Sequence, residues 1–331
     1  MAGGLGTRLR PLTDNIPKSL IPVGGRPVIL YLIDSFSTVS RDYILTVSYK
    51  YEKIVELFSG KLSKKGNFLF SVEKDPLGTA GGLKKTEKFL EETFFVGNAD
   101  TVFREDMKEL LKFHIKNKNM ITIGLTKVDN PSEFGVVKLR DGQIVQFQEK
   151  PKENPISNLA NAGIYIMEPE IFDYIERGKV SDIAKNLIPA LQGDNKKIGG
   201  YEIKGIWIDI GRPRDLIRAN IEMSKKYTGK LPFNGNIYLG KKVKIGRNVI
   251  IKDSSIYDNV SISDNVSIEN SVIYDNSQIG DGSKIKNSIL SFNSILGEGV
   301  YVDDSVIGGG LLLRKGGKIE GSILSSGEEN K

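Results

Sequence analysis

The sequence predicts an α/β domain with a mostly parallel sheet, followed by a β-helix. Three observations carry that expectation. As far as Tyr227, apolar runs rich in β-branched or aromatic residues alternate with longer helix-like stretches, the βαβα pattern. Residues 228–236, with glycines, a proline and no periodicity, read as a linker. Beyond them the aliphatic spacing changes to six, the repeat of a hexapeptide β-helix in which three short strands complete one coil.

In the first region, residues 1–227, strands are expected at Tyr43–Val47, Phe68–Val72, Phe94–Val96, Ile121–Leu125 and Ile164–Met167. Helices are expected at Lys53–Phe58, Met107–Asn117 and Arg214–Lys226, the last ending in two lysines that suit the negative end of a helix dipole. In the β-helix, residues 237–325, the repeat runs through Ile237, Val243 and Val249, then Val260, Val266 and Val272, then Ile273, Ile279 and Ile285, with a further pair at Ile289 and Ile295 and slips of register between the sets. Gly240, Gly246, Asn259, Asn265 and Gly280 supply turns between them. A β-sandwich would instead alternate with a period of two and turn every 8 to 12 residues or so. The polar end, 327–331, is expected to fray.

Composition narrows the function. The chain has 331 residues, a net charge of +6 and no cysteine, so disulfide scaffolds, thiolate metal sites and cysteine nucleophiles are excluded. The longest apolar run, Val28–Ile33, falls far short of the roughly 18 to 20 residues that span a bilayer, and a soluble, cytoplasmic protein is expected. The positive surplus is spread among many acidic residues, which suits anionic substrates at least as well as nucleic acid.

The amino terminus carries the chemistry. Gly3, Gly4 and Gly6 would let backbone amides approach a polyphosphate, and Arg8 and Lys18 supply charge for its oxygens. The loop is neither a Walker loop nor the dinucleotide fingerprint Gly-x-Gly-x-x-Gly, and by themselves such glycines mark a tight turn. The segment Ala2–Pro27 nevertheless resembles the signature of the sugar-phosphate nucleotidyltransferases, which join a nucleoside triphosphate to a sugar 1-phosphate and release pyrophosphate. Pro76–Gly81, Asn98–Asp100, Phe134–Gly135, Glu149–Pro151, Asn161–Tyr165 and Trp207–Gly211 match in family order. The resemblance covers about the first 220 residues. It implies a Rossmann-like mixed sheet and, in long members, a left-handed parallel β-helix behind it.

Residue by residue, the resemblance implies that Ala2, Gly3, Gly4, Gly6, Thr7, Glu73, Gly78 and Thr79 serve the nucleotide and that Arg8 and Lys18 face the triphosphate. Lys150 would hold the sugar's phosphate, beside Gly135, while Glu149 and Asn161 take sugar hydroxyls. Asp100 and Asp209 would hold Mg²⁺, which usually takes one or two carboxylates plus substrate phosphates. Unmatched aspartates are more often caps or turns. The family usually has Gly where this chain has Ala99. The chemistry needs no general base, because a phosphate monoester with a second pKa of about 6 is already largely dianionic at neutral pH.

Within the family, Leu77–Gly81 most resembles the mannose-1-phosphate guanylyltransferases, which implies GTP and mannose 1-phosphate. The alternatives are a glucose-1-phosphate thymidylyl- or uridylyltransferase, or a non-catalytic regulatory subunit of the same fold. Glu73 could accept the two adjacent donors of guanine, or be a plain surface carboxylate. The only histidine, His114, lies in the first domain and reads as an ordinary helix residue, so the histidine-dependent acyltransferase that some members carry on the β-helix is not expected. The β-helix is expected to mediate homo-oligomers. In the family an apolar strand precedes the phosphate loop, whereas here Met1 stands directly before Ala2, so a first strand encoded upstream of Met1 is expected.

Overall fold

The computed structural model describes residues 1–60, 62–227 and 233–325. Its Cα trace separates into two compact units that do not follow chain order: Met1–Gly4 with Ile29–Trp207, and Leu5–Val28 with Ile208–Lys331.

The first unit is built on a mixed sheet in the order Phe94–Gly97, Leu159–Met167, Ile121–Lys127, Ile198–Glu202, Gln143–Glu149, Gly135–Arg140. The first, third and fourth of these strands share one direction, and Leu159–Met167 runs antiparallel between two of them. The hairpin formed by the last two strands closes the far edge. Asp42–Val47 and Asn67–Val72 form a separate parallel pair. Residues Ile121 to Leu125 are buried without alternation, as expected of a strand covered on both faces. The expected strands are all present, and Ile164–Met167 proves to be the end of a longer one that carries an irregularity between Asn161 and Tyr165.

The helix Met107–Asn117 forms as the sequence predicts. Asp106 caps it by accepting from the Lys108 amide, and Met107, Leu110 and His114 are buried on one face. His114 is a buried strut: Nδ1 lies 2.8 Å from Thr122 Oγ1 and Nε2 2.8 Å from Glu168 Oε1.

In the second unit the last helix is Pro213–Glu222, four residues shorter than expected at its carboxyl end. Lys225 and Lys226 belong instead to a strand, Lys225–Tyr227, that pairs antiparallel with Gly235–Ile237. Non-local pairing outweighs the local fit of lysines to a helix terminus. Of the expected linker, 228–232 lie outside the described residues, as does the tail expected to fray, and 233–236 already belong to the strand Phe233–Leu239.

The β-helix is parallel throughout, and its coil is 17 residues rather than three times six. Ile251 pairs with Ile268, Ile268 with Ile285, Ile285 with Val302 and Val302 with Ile319. Ile256, Ile273, Leu290, Ile307 and Leu324 make a second column, and Ile245, Ile262, Ile279, Leu296 and Leu313 a third. Two sides of each coil therefore advance by six and one by five, which is the origin of the register slips in the sequence. Asn259, Asn265, Asn276 and Asn293 take positive φ at corners, a conformation asparagine tolerates, and Asn259 donates to Asn276, which donates to Asn293. No helix among the described residues is long and apolar enough to cross a membrane.

Candidate functional site

The predicted site residues fall into two groups, one in each unit. In the second unit Gly6, Arg8, Lys18 and Asp209 come together. Gly6 adopts φ 63°, and a Cβ there would stand 2.9 Å from the Thr13 methyl and 3.1 Å from Lys18 Cβ. Only glycine fits both the conformation and the space. Thr13 Oγ1 donates to the Gly6 carbonyl at 2.9 Å and closes the turn.

Lys18 sits on a 3₁₀ turn, Lys18–Leu20, and is only 7% exposed, which is unusual for a lysine. Its ammonium lies 3.5 Å from Asp209 Oδ1. Gly211 leaves the room this needs: a Cβ there would come 2.9 Å from Asp209 Oδ2 and 3.3 Å from Arg8 Nη2. Beside this cluster, and among the described residues, the amides of Leu5, Gly6, Thr7 and Arg8 donate to no group of the chain. These residues are exposed or half-exposed, so their amides are open to a ligand, and successive amides around a left-handed residue form a concavity for anions. Ala2 and Gly3 belong to the first unit; the Ala2 amide is used, donating to the Thr46 carbonyl at 2.8 Å.

In the first unit a second cluster centres on Tyr165. Asn161 Nδ2 donates to the Tyr165 hydroxyl at 2.9 Å, and Asn161 Oδ1 accepts from the Gly163 amide at 2.9 Å, so the amide is fixed at the strand irregularity. Glu149 and Asp182 both act electrostatically on Tyr165, whose hydroxyl is pushed up, chiefly by burial, and stays protonated. Burial likewise pushes the Glu149 carboxyl up, against the pull of Lys150 and Lys185 and with Asp182 adding to the rise. Lys150 Nζ is 4.0 Å from Glu149 Oε1, and its backbone holds φ 44°, uncommon outside glycine and a frequent mark of functional positions. Gly135 faces Glu149 across the strand pair, and a Cβ there would come 2.7 Å from Glu149 Oε2.

Glu73, Gly78 and Thr79 have inward roles that their sequence context does not reveal. Glu73 Oε2 accepts from the Leu77 amide at 3.2 Å, and its other oxygen lies against Gly82, so the carboxylate braces the loop rather than standing free at the surface. Gly78 has φ 74° and packs on the Ser181 carbonyl. Thr79 Oγ1 donates to Asp182 Oδ2 at 2.9 Å and accepts from the Ile183 amide at 2.8 Å. Asp182, Lys185 and Tyr165 were not anticipated as site residues; Tyr165 alone stood in a recognised motif. Asp100 is half-buried, and its charge acts on the Met1 ammonium. Among the described residues no three histidines or carboxylates cluster as a ready-made metal site.

The model of the family described as nucleotidyl transferase matches residues 1–226. The chain belongs to that nucleotidyl transferase family. A second family model, described as the GMPPB C-terminal domain, matches residues 221–326 of the transferase. Mannose-1-phosphate guanyltransferase from Saccharomyces cerevisiae is 39% identical over 249 residues, which are 72% of this chain and 68% of that protein. The bifunctional protein GlmU of Methanocaldococcus jannaschii is 37% identical over 267 residues, 78% of this transferase but 59% of that protein. Among solved structures, a Bacillus anthracis protein assigned as a glucose-1-phosphate thymidylyltransferase aligns with TM-score 0.62 and 27% identity, over 69% of this chain and 95% of that one.

Proposed function

We propose that the chain transfers GMP from GTP to mannose 1-phosphate, forming GDP-mannose and releasing pyrophosphate. The observation that carries the phosphate-handling part is the run of unbonded amides at Leu5–Arg8 beside the buried Lys18. The choice of nucleotide and sugar rests on the relatives named for mannose 1-phosphate. A phosphate oxygen of mannose 1-phosphate attacks the α-phosphorus, the new P–O bond forms, and the bond to the pyrophosphate oxygen breaks. No proton transfer to a side chain is required. Lys18 and Arg8 neutralise the triphosphate, Lys150 holds the sugar's phosphate, and Glu149 with Asn161 receives sugar hydroxyls. The raised Glu149 carboxyl suits a group that exchanges hydrogen bonds with hydroxyls.

Asp100 in the first unit and Asp209 in the second each offer hard carboxylate oxygens, the donor type that fits Mg²⁺ alongside substrate phosphates. When bound, the ion would supply charge neutralisation at the phosphates. We also infer self-association through the β-helix, supported by Ile295 and Leu312, which pair in register with both side chains exposed. A strictly monomeric species in sedimentation would refute that part.

The deciding assay is pyrophosphate release with Mg²⁺, each common nucleoside triphosphate, and mannose, glucose or N-acetylglucosamine 1-phosphate. Turnover is expected to be fastest with GTP and mannose 1-phosphate; none with any pair would leave a regulatory subunit. Glu73→Gln keeps an acceptor for the Leu77 amide but removes the charge that could accept both guanine donors. We expect it to lower kcat/KM for GTP about tenfold and to leave UTP unaffected. An unchanged preference would leave Glu73 as a brace alone.

A further inference from the structure

Four aromatic rings climb one face of the β-helix. Tyr238, Tyr257, Tyr274 and Phe292 stack with neighbouring centroids 5.0, 4.8 and 4.9 Å apart. Packing alone would explain such a ladder. Two of the three hydroxyls, however, are spent on the amino-terminal loop and on the helix beneath it. Tyr274, fully buried, donates to the Pro22 carbonyl at 3.0 Å. Tyr257, nearly as buried, donates to Asn220 Oδ1 at 2.7 Å and accepts from the Gly25 amide at 3.4 Å. Asn220 Oδ1 also accepts from the Gly24 amide at 3.2 Å. The Tyr238 ring lies where a side chain on Gly25 would be, and further up the coil Gly308 packs on Pro11.

These contacts flank Lys18, at Pro11 before it and at Pro22–Gly25 after it, within the segment Leu5–Val28. That segment has little ladder of its own: it consists of three single 3₁₀ turns and the two-residue pairing of Pro22–Val23 with Arg26–Pro27. Three-residue 3₁₀ turns have poor hydrogen-bond geometry, so the backbone of such a segment depends on contacts from outside it. Pro22, anchored by Tyr274, lies four residues beyond Lys18.

The geometry points to the β-helix as the brace of the phosphate loop, with Tyr257, Tyr274 and Asn220 acting as positioning residues for Lys18. This inference rests on the reading of Lys18 as the group that faces the α-phosphate. Errors of about 1 Å at such a group cost on the order of a hundredfold in rate, so a loop held by outside hydroxyls is sensitive to their loss. The β-helix then serves each active site directly and not only an assembly.

The test uses the full chain and three variants. Tyr257→Phe and Tyr274→Phe each remove one hydroxyl and keep the ring. Phe292→Leu disturbs the same ladder and removes no hydrogen bond to the loop. Both tyrosine variants are expected to lower kcat about tenfold with KM for both substrates within about twofold, and to speed hydrogen exchange across residues 5–28. Phe292→Leu is expected to lower the thermal midpoint with kcat and loop exchange retained. The brace is overturned if the tyrosine variants keep both wild-type kcat and wild-type exchange, or if Phe292→Leu loses kcat as much as they do. Should the wild type itself release no pyrophosphate, the functional reading fails, while exchange across the loop still decides whether the ladder holds it.

Discussion

Lys18→Ala should lower kcat by roughly 10² to 10³ while changing KM for either substrate by no more than about threefold. The size follows from where the ammonium sits. At 7% exposure its charge acts in a poorly screened environment, and the transfer reaction builds charge on the α-phosphoryl oxygens that only a preorganised cation can offset cheaply. In the ground state the ammonium faces Asp209 at 3.5 Å, so part of its attraction is already committed before substrate arrives. Its contribution therefore appears mainly in the transition state. Lys150→Ala provides the contrast. That side chain is 61% exposed and is assigned to the sugar's phosphate, so its loss should raise KM for the sugar phosphate and spare kcat. Steady-state kinetics on both variants separates the roles; a Lys18→Ala enzyme with wild-type kcat would remove Lys18 from the transition state.

What could be read from the sequence depended on how local the determining interactions are. The helix Met107–Asn117 is encoded in its own residues, by the Asp106 cap and a single apolar face, and it forms over the expected span. The helix expected over Arg214–Lys226 ends at Glu222 because the partner of Lys225–Tyr227 lies at Gly235–Ile237, across the stretch that reads as a linker. The β-helix was visible as a period of six, yet its true coil of 17 emerges only when the slips are read as one five-residue side per turn. That reading would also have exposed the aromatic ladder, since Tyr257 and Tyr274 are 17 residues apart and so pack on successive coils, though not the bonds of their hydroxyls to Pro22 and Gly25. The motif residues Lys18, Glu149, Lys150, Asn161 and Asp209 were recognisable, whereas the inward bonds of Thr79 were not. Its partner, Asp182, is 103 residues away and belongs to no motif.

An apolar strand of about six residues added before Met1 should raise the thermal midpoint by roughly 5 to 10 °C and abolish a pH dependence that a chain starting at Met1 will show. Strands Asp42–Val47 and Phe94–Gly97 each have one edge unpaired by any strand among the described residues. Met1 and Ala2 bond to both: the Met1 ammonium donates to the Gly97 carbonyl at 2.7 Å, the Ala99 amide to the Met1 carbonyl at 3.0 Å, and the Ala2 amide to the Thr46 carbonyl at 2.8 Å. Behind Met1 a cavity of about 860 Å³ continues between the two strands, lined by Leu32, Phe36, Leu45, Phe94 and Val96 among others. Filling it with β-branched residues would bury apolar surface at about 25 cal/mol per Å² and pair both edges, joining the two sheets. The same burial pushes the Met1 amine down from 8.0 to about 6, despite the opposing charges of Asp100 and Glu73. Between those values the unfolded chain holds the proton and the folded chain does not, so stability must rise with pH from about 6 to 8, by roughly 2 to 3 kcal/mol, and level off above. With an extension in place there is no buried ammonium, and that slope should vanish. Thermal melts from pH 5.5 to 8.5 on the chain starting at Met1, on the extended chain, and on an extension with proline at alternate positions would decide it. Equal midpoints and an unaltered slope in the first two would show that the cavity does not accept a strand, and a proline-bearing extension that stabilised as well would show that ladder pairing is not the cause.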